Sequence, residues 1–481
     1  LSSGGLGVLT GVAGSGKSTV LKCVIDAVKR ANPKIGLVQA APTGKAAKRM
    51  VETTNMPATT MHSTFRIMED HTDRLYWLNK AKNGVFDTVD VTNFDAVEDT
   101  FYIFDEVSMC GFNLMCKVMA AVSQGVRCKV LFVGDKEQLP PVQDVPVFAE
   151  ILSISKKAFR LGESHRAAEG SLPTKNAYKV LKGEGGSFDE GGTFKIRQVE
   201  NADIHSVVLK EFVEGIKKYG IDGCRVVTPY KNARSVEKWK YASAKISNTL
   251  GEILEESGIT KDMKGAPKGS PVVSWKSKSA QEFVRIGDRV MNVENTRDVP
   301  LANMKGESQG YCDIVNGQEG IVMGFIKGSL NLDKYSRGYD KRYLVLVDMS
   351  DDATGIPSKN GKYCAFEVTS RRWPVQDFPM PIAEGCQYVS GGNISNLEMS
   401  YAETVHKMQG SEVPCVIIPA STECRNTSFF NRALVYTAIT RASKEVVLVG
   451  DAGGMGTAFA KASKLGAKEN PRETVFGYLG L

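Results

Sequence analysis

Residues 11–18, GVAGSGKS, restrict the fold of this chain more than any other stretch. They fit the pattern G-x-x-x-x-G-K-[ST], follow the apolar run GLGVLTG and precede a helical pattern over residues 18–30. Glycines at these positions let backbone N–H groups curl around phosphate oxygens, and the start of the helix adds the positive end of its dipole. Lys17 is then placed to reach the outer phosphates, and the Ser18 hydroxyl to bind a divalent cation. A chance Gly-rich turn is the alternative, and the strand–loop–helix context argues against it.

The rest of the chain supplies a matching architecture. Short runs rich in Val, Ile, Leu and Phe (IGLVQAAP, TFYIFDE, KVLFVGD, CRVVTPY, VPCVIIP, KEVVLVG) read as buried parallel strands. A second helical pattern covers residues 44–53, and the alternation implies βαβ units in doubly wound parallel sheets, an α/β fold. The runs fall in two clusters, residues 4–134 and 225–450, which points to two α/β cores. Residues 65–99 are polar around Trp77 and Phe86 and read as a small insertion in the first core. Residues 261–398, with the strand-like EGIVMGF and RYLVLVD, read as a small inserted β domain. The expected division is a first core over 1–64 and 100–165, and a second core over 166–260 and 399–481.

Composition removes several classes. The chain has 481 residues, 42% of them hydrophobic and 24% charged, which is globular rather than disordered. No apolar run approaches the ~18 residues of a membrane span. The net charge of +7 permits a nucleic-acid partner without arguing for one. The ten cysteines form no C-x-x-C pair, so reduced thiols in the cytoplasm are expected rather than a zinc site. The first residues carry neither an initiator Met nor a secretory pattern, as in a processed or truncated chain.

Two further motifs add chemistry. FYIFDEVSM is an apolar strand ending in Asp105 and Glu106: the first is placed to hold Mg2+ and the second to orient and deprotonate an attacking water. An acidic pair after a strand is more often a solvated loop, but beside a phosphate loop it is a hydrolase signature. In VGDKEQLPPV a strand ends at Asp135, and Gln138 is placed to sense the outermost phosphate or the water. Trp77 and Trp373 could stack on bases, although aromatic residues more often serve small cores.

The ordered series GVAGSGKST, QAAPTGKAAKRM, TTMHSTF, FDEVSM, VGDKEQLPPV, ESHR, VVTPY, ETVHKMQGSE and VYTAITRA resembles the motifs of a superfamily 1 DNA helicase. The likeness is greatest to the RecD-like branch, which includes the phage Dda type, and it runs over nearly the whole chain. It implies two RecA-like cores, with the 261–398 insertion in the place of an SH3-like domain. It implies nucleotide contacts from Gly11, Gly14, Gly16, Lys17, Ser18 and Thr19, with Mg2+ on Ser18 and Asp105. Arg166 matches an arginine at the γ-phosphate, and Arg441 the arginine finger of the second core. Gln409, Gly410 and Glu412 match the segment coupling nucleotide to the strand-binding face. DNA contacts are implied for Pro42, Thr43, Thr60, His62 and Ser63 in the first core, and for Thr228, Asn316 and His406 beyond it. Each histidine and arginine could alternatively be an ordinary polar or ion-paired residue.

The resemblance implies an ATP-dependent translocase on single-stranded DNA that moves 5′ to 3′ and unwinds duplex, with residues 65–99 supplying a duplex-splitting hairpin. The implied cofactors are ATP and Mg2+. The implied partners are single-stranded DNA, duplex junctions and replication or recombination proteins, in the cytoplasm of a bacterial or phage-infected cell. A viral-type RNA helicase shares the same phosphate chemistry and stays open. So does a motor or DNA-binding fragment of a larger nuclease- or relaxase-linked machine. The glutamine motif that reads adenine upstream of the phosphate loop in such helicases is absent from the ten residues preceding Gly11.

Overall fold

The computed structural model describes residues 5–65, 67, 99–123, 127–141, 144–155, 157–162, 170–183, 188–231, 242–256, 273–276, 281–328, 341–349, 361–370, 392–421 and 431–454. Arg166, Trp77, Trp373 and all of the expected hairpin segment except Phe65, Ile67 and Asp99 lie outside the described residues. The chain separates into two compact units: Leu1–Ile204 with Ile221–Cys224 and Met408–Leu481, and His205–Gly220 with Arg225–Lys407.

The first unit opens with β1 (Gly5–Gly11), α1 (Lys17–Ala31), β2 (Gly36–Ala41), α2 (Gly44–Thr54), β3 (Thr59–Thr60) and α3 (Met61–Thr64). It continues through β4 (Thr100–Phe104), α4 (Phe112–Ser123), β5 (Lys129–Gly134), α5 (Phe148–Ile154) and β6 (Ala158–Leu161). The six strands form one parallel sheet in the order β3-β2-β4-β5-β1-β6. The continuous apolar sequence of β4, TFYIF, reflects this position, since every one of its residues is buried and both faces are covered. Phe101 and Ile103 point to one side, with Leu9, Leu131 and Val133, and meet Leu21 and Ile25 of α1 and Met50 of α2. Tyr102 and Phe104 point to the other, with Val8 and Phe132, and meet Met115 and Val118 of α4 and Ile151 of α5. Period-two alternation within an apolar run thus feeds two cores, one on each face.

The strand order has a direct consequence for function. The strands β4, β5 and β1 are consecutive neighbours running the same way, so the loops at their C-terminal ends leave the sheet side by side. The same unit holds a second set of parallel strands, Phe194–Gln198, Val413–Ala420 and Ala442–Gly450. The Arg432–Ile439 helix is the crossover between the last two, and six of its eight residues are buried.

In the second unit, strand Ala402–Thr404 runs parallel to Cys224–Thr228, with Thr404 opposite Thr228. An antiparallel sheet fills the region read as an inserted β domain, through strands Arg289–Asn292, Thr296–Ala302, Ser308–Ile314, Glu319–Gly328, Lys341–Asp348, Tyr363–Ser370 and Leu397–Met399. Tyr401 Oη donates to Asp288 Oδ1 (2.9 Å), and Arg225 and Arg289 converge on Glu319. The α/β class with an inserted β sheet is therefore observed as the sequence led one to expect. Among the described residues no helix is long and apolar enough to cross a membrane.

The packing of β4 yields a stability test. Phe104 is fully buried, with its ring centroid 5.6 Å from that of Phe132 and 5.9 Å from that of Phe65. Truncation by Phe104→Ala should cost roughly 3–5 kcal/mol, read as a shifted midpoint in urea unfolding. A loss below about 1 kcal/mol would show that this face is not a close-packed core.

Candidate functional site

A cavity of ≈ 390 Å³ opens where β1, β4 and β5 end. Its wall is made by residues 13–19, Arg49, Asp105, Glu106, Gln138, Glu412, Thr440 and Arg441, among others. All belong to the first unit.

The phosphate loop is shaped by its glycines. Gly14 and Gly16 adopt φ of 75° and 83°, a left-handed conformation that a side chain disfavours. Gly11 lies beneath the loop, where an added Cβ would collide with Ser15 Oγ. The helix α1 begins at Lys17 with no side-chain cap and no acidic residue in its first turn, so its leading amides are available to an anion. Lys17 Nζ donates to the carbonyl oxygens of Gly11 (2.6 Å) and Val12 (3.2 Å), which holds the ammonium against the loop.

Across the cavity, Asp105 and Glu106 come directly after β4. Asp105 Oδ1 accepts the Glu106 N–H at 2.8 Å. Burial, and then the neighbouring Glu106 charge, push the Asp105 carboxyl up to about 6, against the opposing pull of Lys17 and Arg49. Glu106 has φ 52°, a strained backbone for a residue with a side chain. Among the described residues, its buried Oε2 and the buried Oε1 of Gln138 have no hydrogen-bond partner. Unsatisfied buried polar atoms are rare, and with Ser15 Oγ three of them belong to residues lining one cavity.

Two arginines complete the wall. Arg441 is 3% exposed, and its guanidinium is held by Thr437 O (Nε, 3.1 Å), Ser411 O (Nη1, 3.2 Å) and Thr440 Oγ1 (Nη2, 3.2 Å). Arg49 pairs with Glu412 (Nη2 to Oε2, 2.7 Å). Its place in a basic stretch with Lys45 and Lys48 puts it close in sequence to Pro42 and Thr43, yet its side chain is turned to the cavity. Gln409 and Gly410 stand behind the wall. Gln409 Nε2 donates to Leu139 O (2.9 Å), and Gly410, at φ 76°, lies so close to Ala46 that a Cβ would meet Ala46 Cβ at 2.9 Å.

Sequence reasoning missed Tyr436. Its hydroxyl donates to the buried Asp135 (2.6 Å) and accepts the Ala13 N–H (3.1 Å), a link between residues 423 apart that no local pattern announces.

The residues matched to DNA contacts fall into two groups. In the first unit, pairing of β2 with β3 brings the turns at their ends together, and with them Pro42, Thr43, Thr60, His62 and Ser63. Thr43 and Thr60 cap α2 and α3, their hydroxyls accepting from Ala46 N (3.3 Å) and Ser63 N (3.1 Å). In the second unit Thr228 and His406 are neighbours, since Val405 N donates to Thr228 O (3.0 Å). Thr228 is fully buried and its hydroxyl donates to Tyr230 O (3.0 Å). Burial pushes the His406 imidazole below its ordinary value. Asn316 is exposed on a turn of the antiparallel sheet, its N–H donating to Asn295 Oδ1 (2.9 Å).

The cavity suits a nucleoside triphosphate. It offers backbone amides at a helix start, three cations (Lys17, Arg49, Arg441) and the two unpaired acceptors, and its volume is that of a small-ligand pocket. Ser18 and Asp105, both on its wall, supply the oxygen donors that a hard divalent cation takes.

Comparison with known proteins gives the same picture. A family model described as an AAA domain matches residues 1–190, and one described as a UvrD-like helicase C-terminal domain matches residues 399–449. The chain is 26% identical over 458 residues to the ATP-dependent RecD2 DNA helicase of Deinococcus radiodurans, covering 94% of this chain and 48% of that protein. It is 23% identical over 462 residues to the RecBCD enzyme subunit RecD of Buchnera aphidicola, covering 91% and 69%. A shorter match, 28% identical over 135 residues and 28% of each chain, is to the ATP-dependent DNA helicase dda of phage T4. The chain thus spans about half the length of the RecD2 protein it matches.

The raised Asp105 makes stability depend on pH in a defined direction. Its ordinary value is 3.8 and its folded value about 6, so between these limits the folded state binds the proton more tightly and loses stability as pH rises. Asp105→Asn should therefore raise the thermal unfolding midpoint at pH 7, and the gain should fade as pH falls from about 6 toward 4. Thermal unfolding of both proteins without nucleotide checks this. A gain that grows on acidification would contradict it.

Proposed function

The chain belongs to the RecD-like branch of the superfamily 1 helicases, which includes the phage Dda type, and from that premise we propose an ATP-driven motor. It moves along single-stranded DNA in the 5′ to 3′ direction and opens duplex ahead of it. The observation that carries the proposal is the set of groups on one cavity wall: phosphate loop, Asp105–Glu106, Gln138 and Arg441.

In this reading Lys17 exchanges the Gly11 and Val12 carbonyls for phosphate oxygens, and the α1 amides hold the same anion. Ser18 and Asp105 would hold Mg2+, which would supply charge neutralisation when bound. Glu106 takes the proton of the attacking water through its unpaired oxygen, and Gln138 orients that water. Arg441 stabilises charge on the transferred phosphoryl group. The Arg49–Glu412 pair and the 409–412 segment link the cavity wall to α2, which starts at Thr43 in the strand-contacting turn. The residues proposed to contact DNA are Pro42, Thr43, Thr60, His62 and Ser63 in the first unit, and Thr228, Asn316 and His406 in the second. The 5′ to 3′ polarity, the single-stranded DNA substrate and the cytoplasmic setting are supported by family membership.

Arg441 separates binding from chemistry. Arginine fingers contribute on the order of 10³–10⁵ in rate, and lysine lacks the planar fork. Arg441→Ala and Arg441→Lys should each lose strand-stimulated ATP hydrolysis by at least about a hundredfold, with nucleotide affinity changed far less. Lys17→Ala should instead weaken nucleotide binding itself. Steady-state ATPase with saturating single-stranded DNA, beside fluorescent-nucleotide binding, reads both. Hydrolysis by Arg441→Lys within a few-fold of wild type would remove the finger role.

Strand binding should also weaken with salt. Single-strand affinity falls with a log–log slope of about −0.7 per phosphate neutralised. A salt titration of fluorescent oligonucleotide binding should give a slope steeper than about −2, that is, at least three such contacts. A flat titration would exclude an electrostatic grip.

A further inference from the structure

One buried hydroxyl ties together three parts of the cavity wall. Tyr436, on the Arg432–Ile439 helix, accepts the Ala13 N–H of the phosphate loop (3.1 Å) and donates to Asp135 Oδ2 at the end of β5 (2.6 Å). The directions are fixed, because an amide N–H only donates and the hydroxyl has a single proton to give. Both Tyr436 and Asp135 are 1% exposed, so neither bond is shared with bulk water. The other Asp135 oxygen accepts the Glu137 N–H (3.0 Å), which ties the carboxylate into the turn that carries Gln138.

The next residue repeats the connection. Thr437 Oγ1 accepts the Leu139 N–H (3.0 Å), and the carbonyl of Thr437 accepts Arg441 Nε (3.1 Å). Successive residues of one helix therefore touch the phosphate loop, the Gln138 turn and the Arg441 guanidinium. A phenylalanine at 436 would fill the same space; only the hydroxyl makes the two polar bonds. Burying a phenol is unfavourable unless its oxygen is satisfied, so the hydroxyl has a use beyond packing.

We propose that Tyr436 is a positioning residue for phosphoryl transfer, whose hydroxyl fixes the register between the phosphate loop and the helix that presents Arg441. It acts through Arg441 and Gln138 and does not itself touch the reacting atoms. The role rests on the proposed ATP hydrolysis. A displacement of about 1 Å between groups that must meet at the transition state is enough to lower a rate on the order of a hundredfold.

The test is Tyr436→Phe, which keeps the ring and removes both bonds. The value of kcat for ATP hydrolysis with saturating single-stranded DNA should fall roughly 10- to 100-fold, while KM for ATP moves less than about threefold. A second measurement does not depend on activity. Hydrogen–deuterium exchange without nucleotide should speed up about tenfold at the Ala13 amide, the scale expected for one lost hydrogen bond, while the amides of β4 and β5 keep their protection. A kcat equal to wild type, unchanged exchange at Ala13, or protection lost throughout the sheet would each overturn the role, the last because it marks Tyr436 as a general packing residue. A wild-type chain that hydrolyses no ATP overturns the functional reading and this role with it. An active wild type matched by its Tyr436→Phe variant overturns this role alone.

Discussion

Strands β4, β5 and β1 lie next to one another and end at the same edge of a parallel sheet, so the residues just past their ends are forced into one small volume. Those residues are charged: Asp105 and Glu106 after β4, Asp135 after β5, and Lys17 after β1. The sheet keeps these groups close because its two faces are filled by separate apolar cores, which leave its strands no freedom to shift. Burial then sets the chemistry. Away from bulk water the Asp105 and Asp135 carboxyls both rise, and Lys17 opposes the rise in each case. A site that raises buried carboxyls beside a fixed cation is primed for proton and phosphate chemistry.

Such a site costs stability. Glu106 occupies a left-handed backbone position, a strain of about 1–3 kcal/mol for a residue with a side chain. Asp105 is held above its solution value, and three buried polar atoms of the wall, Ser15 Oγ, Glu106 Oε2 and Gln138 Oε1, lack partners among the described residues. The offset comes from elsewhere in the sheet, where Tyr102, Phe104, Phe65 and Phe132 form a contiguous aromatic stack in its core. Strain gathered at strand ends and apolar packing gathered behind them are two results of one arrangement.

The sequence displays the parts of this arrangement that are local. Seven buried strands were readable because both faces are covered, leaving continuous apolar runs, and the phosphate loop because its left-handed turns demand glycine. β3 and β6 and the Phe194–Gln198 strand were not readable: TT, AFRL and FKIRQ are short or half-exposed, and only pairing with a neighbour makes them strands. The same limit applies to the site. Lys17, Ser18, Asp105 and Glu106 stand within motifs, but the turn of Arg49 toward the cavity depends on Glu412, 363 residues away. Nothing near Tyr436 signals that its hydroxyl meets Ala13. Nor does sequence reveal that the Thr60 and Thr228 hydroxyls are already engaged within the fold.

Hydrogen-bond accounting divides the wall and the residues behind it into two kinds. Gln409, Tyr436, Thr437 and Arg441 have their polar atoms engaged by other parts of the same unit. Glu106 and Gln138 keep a buried acceptor unengaged while lining the same space. The first kind fixes positions; the second is left to meet whatever enters. In a site for phosphoryl transfer this division is physically required, because catalytic groups must be held by bonds other than those they make in the reaction. Arg441 belongs to both kinds at once. Its three donors to Thr437, Ser411 and Thr440 fix the guanidinium plane, and its place on the cavity wall keeps that plane beside the phosphate loop. A planar group with five N–H donors can be held by some and act with others, which a lysine ammonium in the same place cannot do with equal directionality.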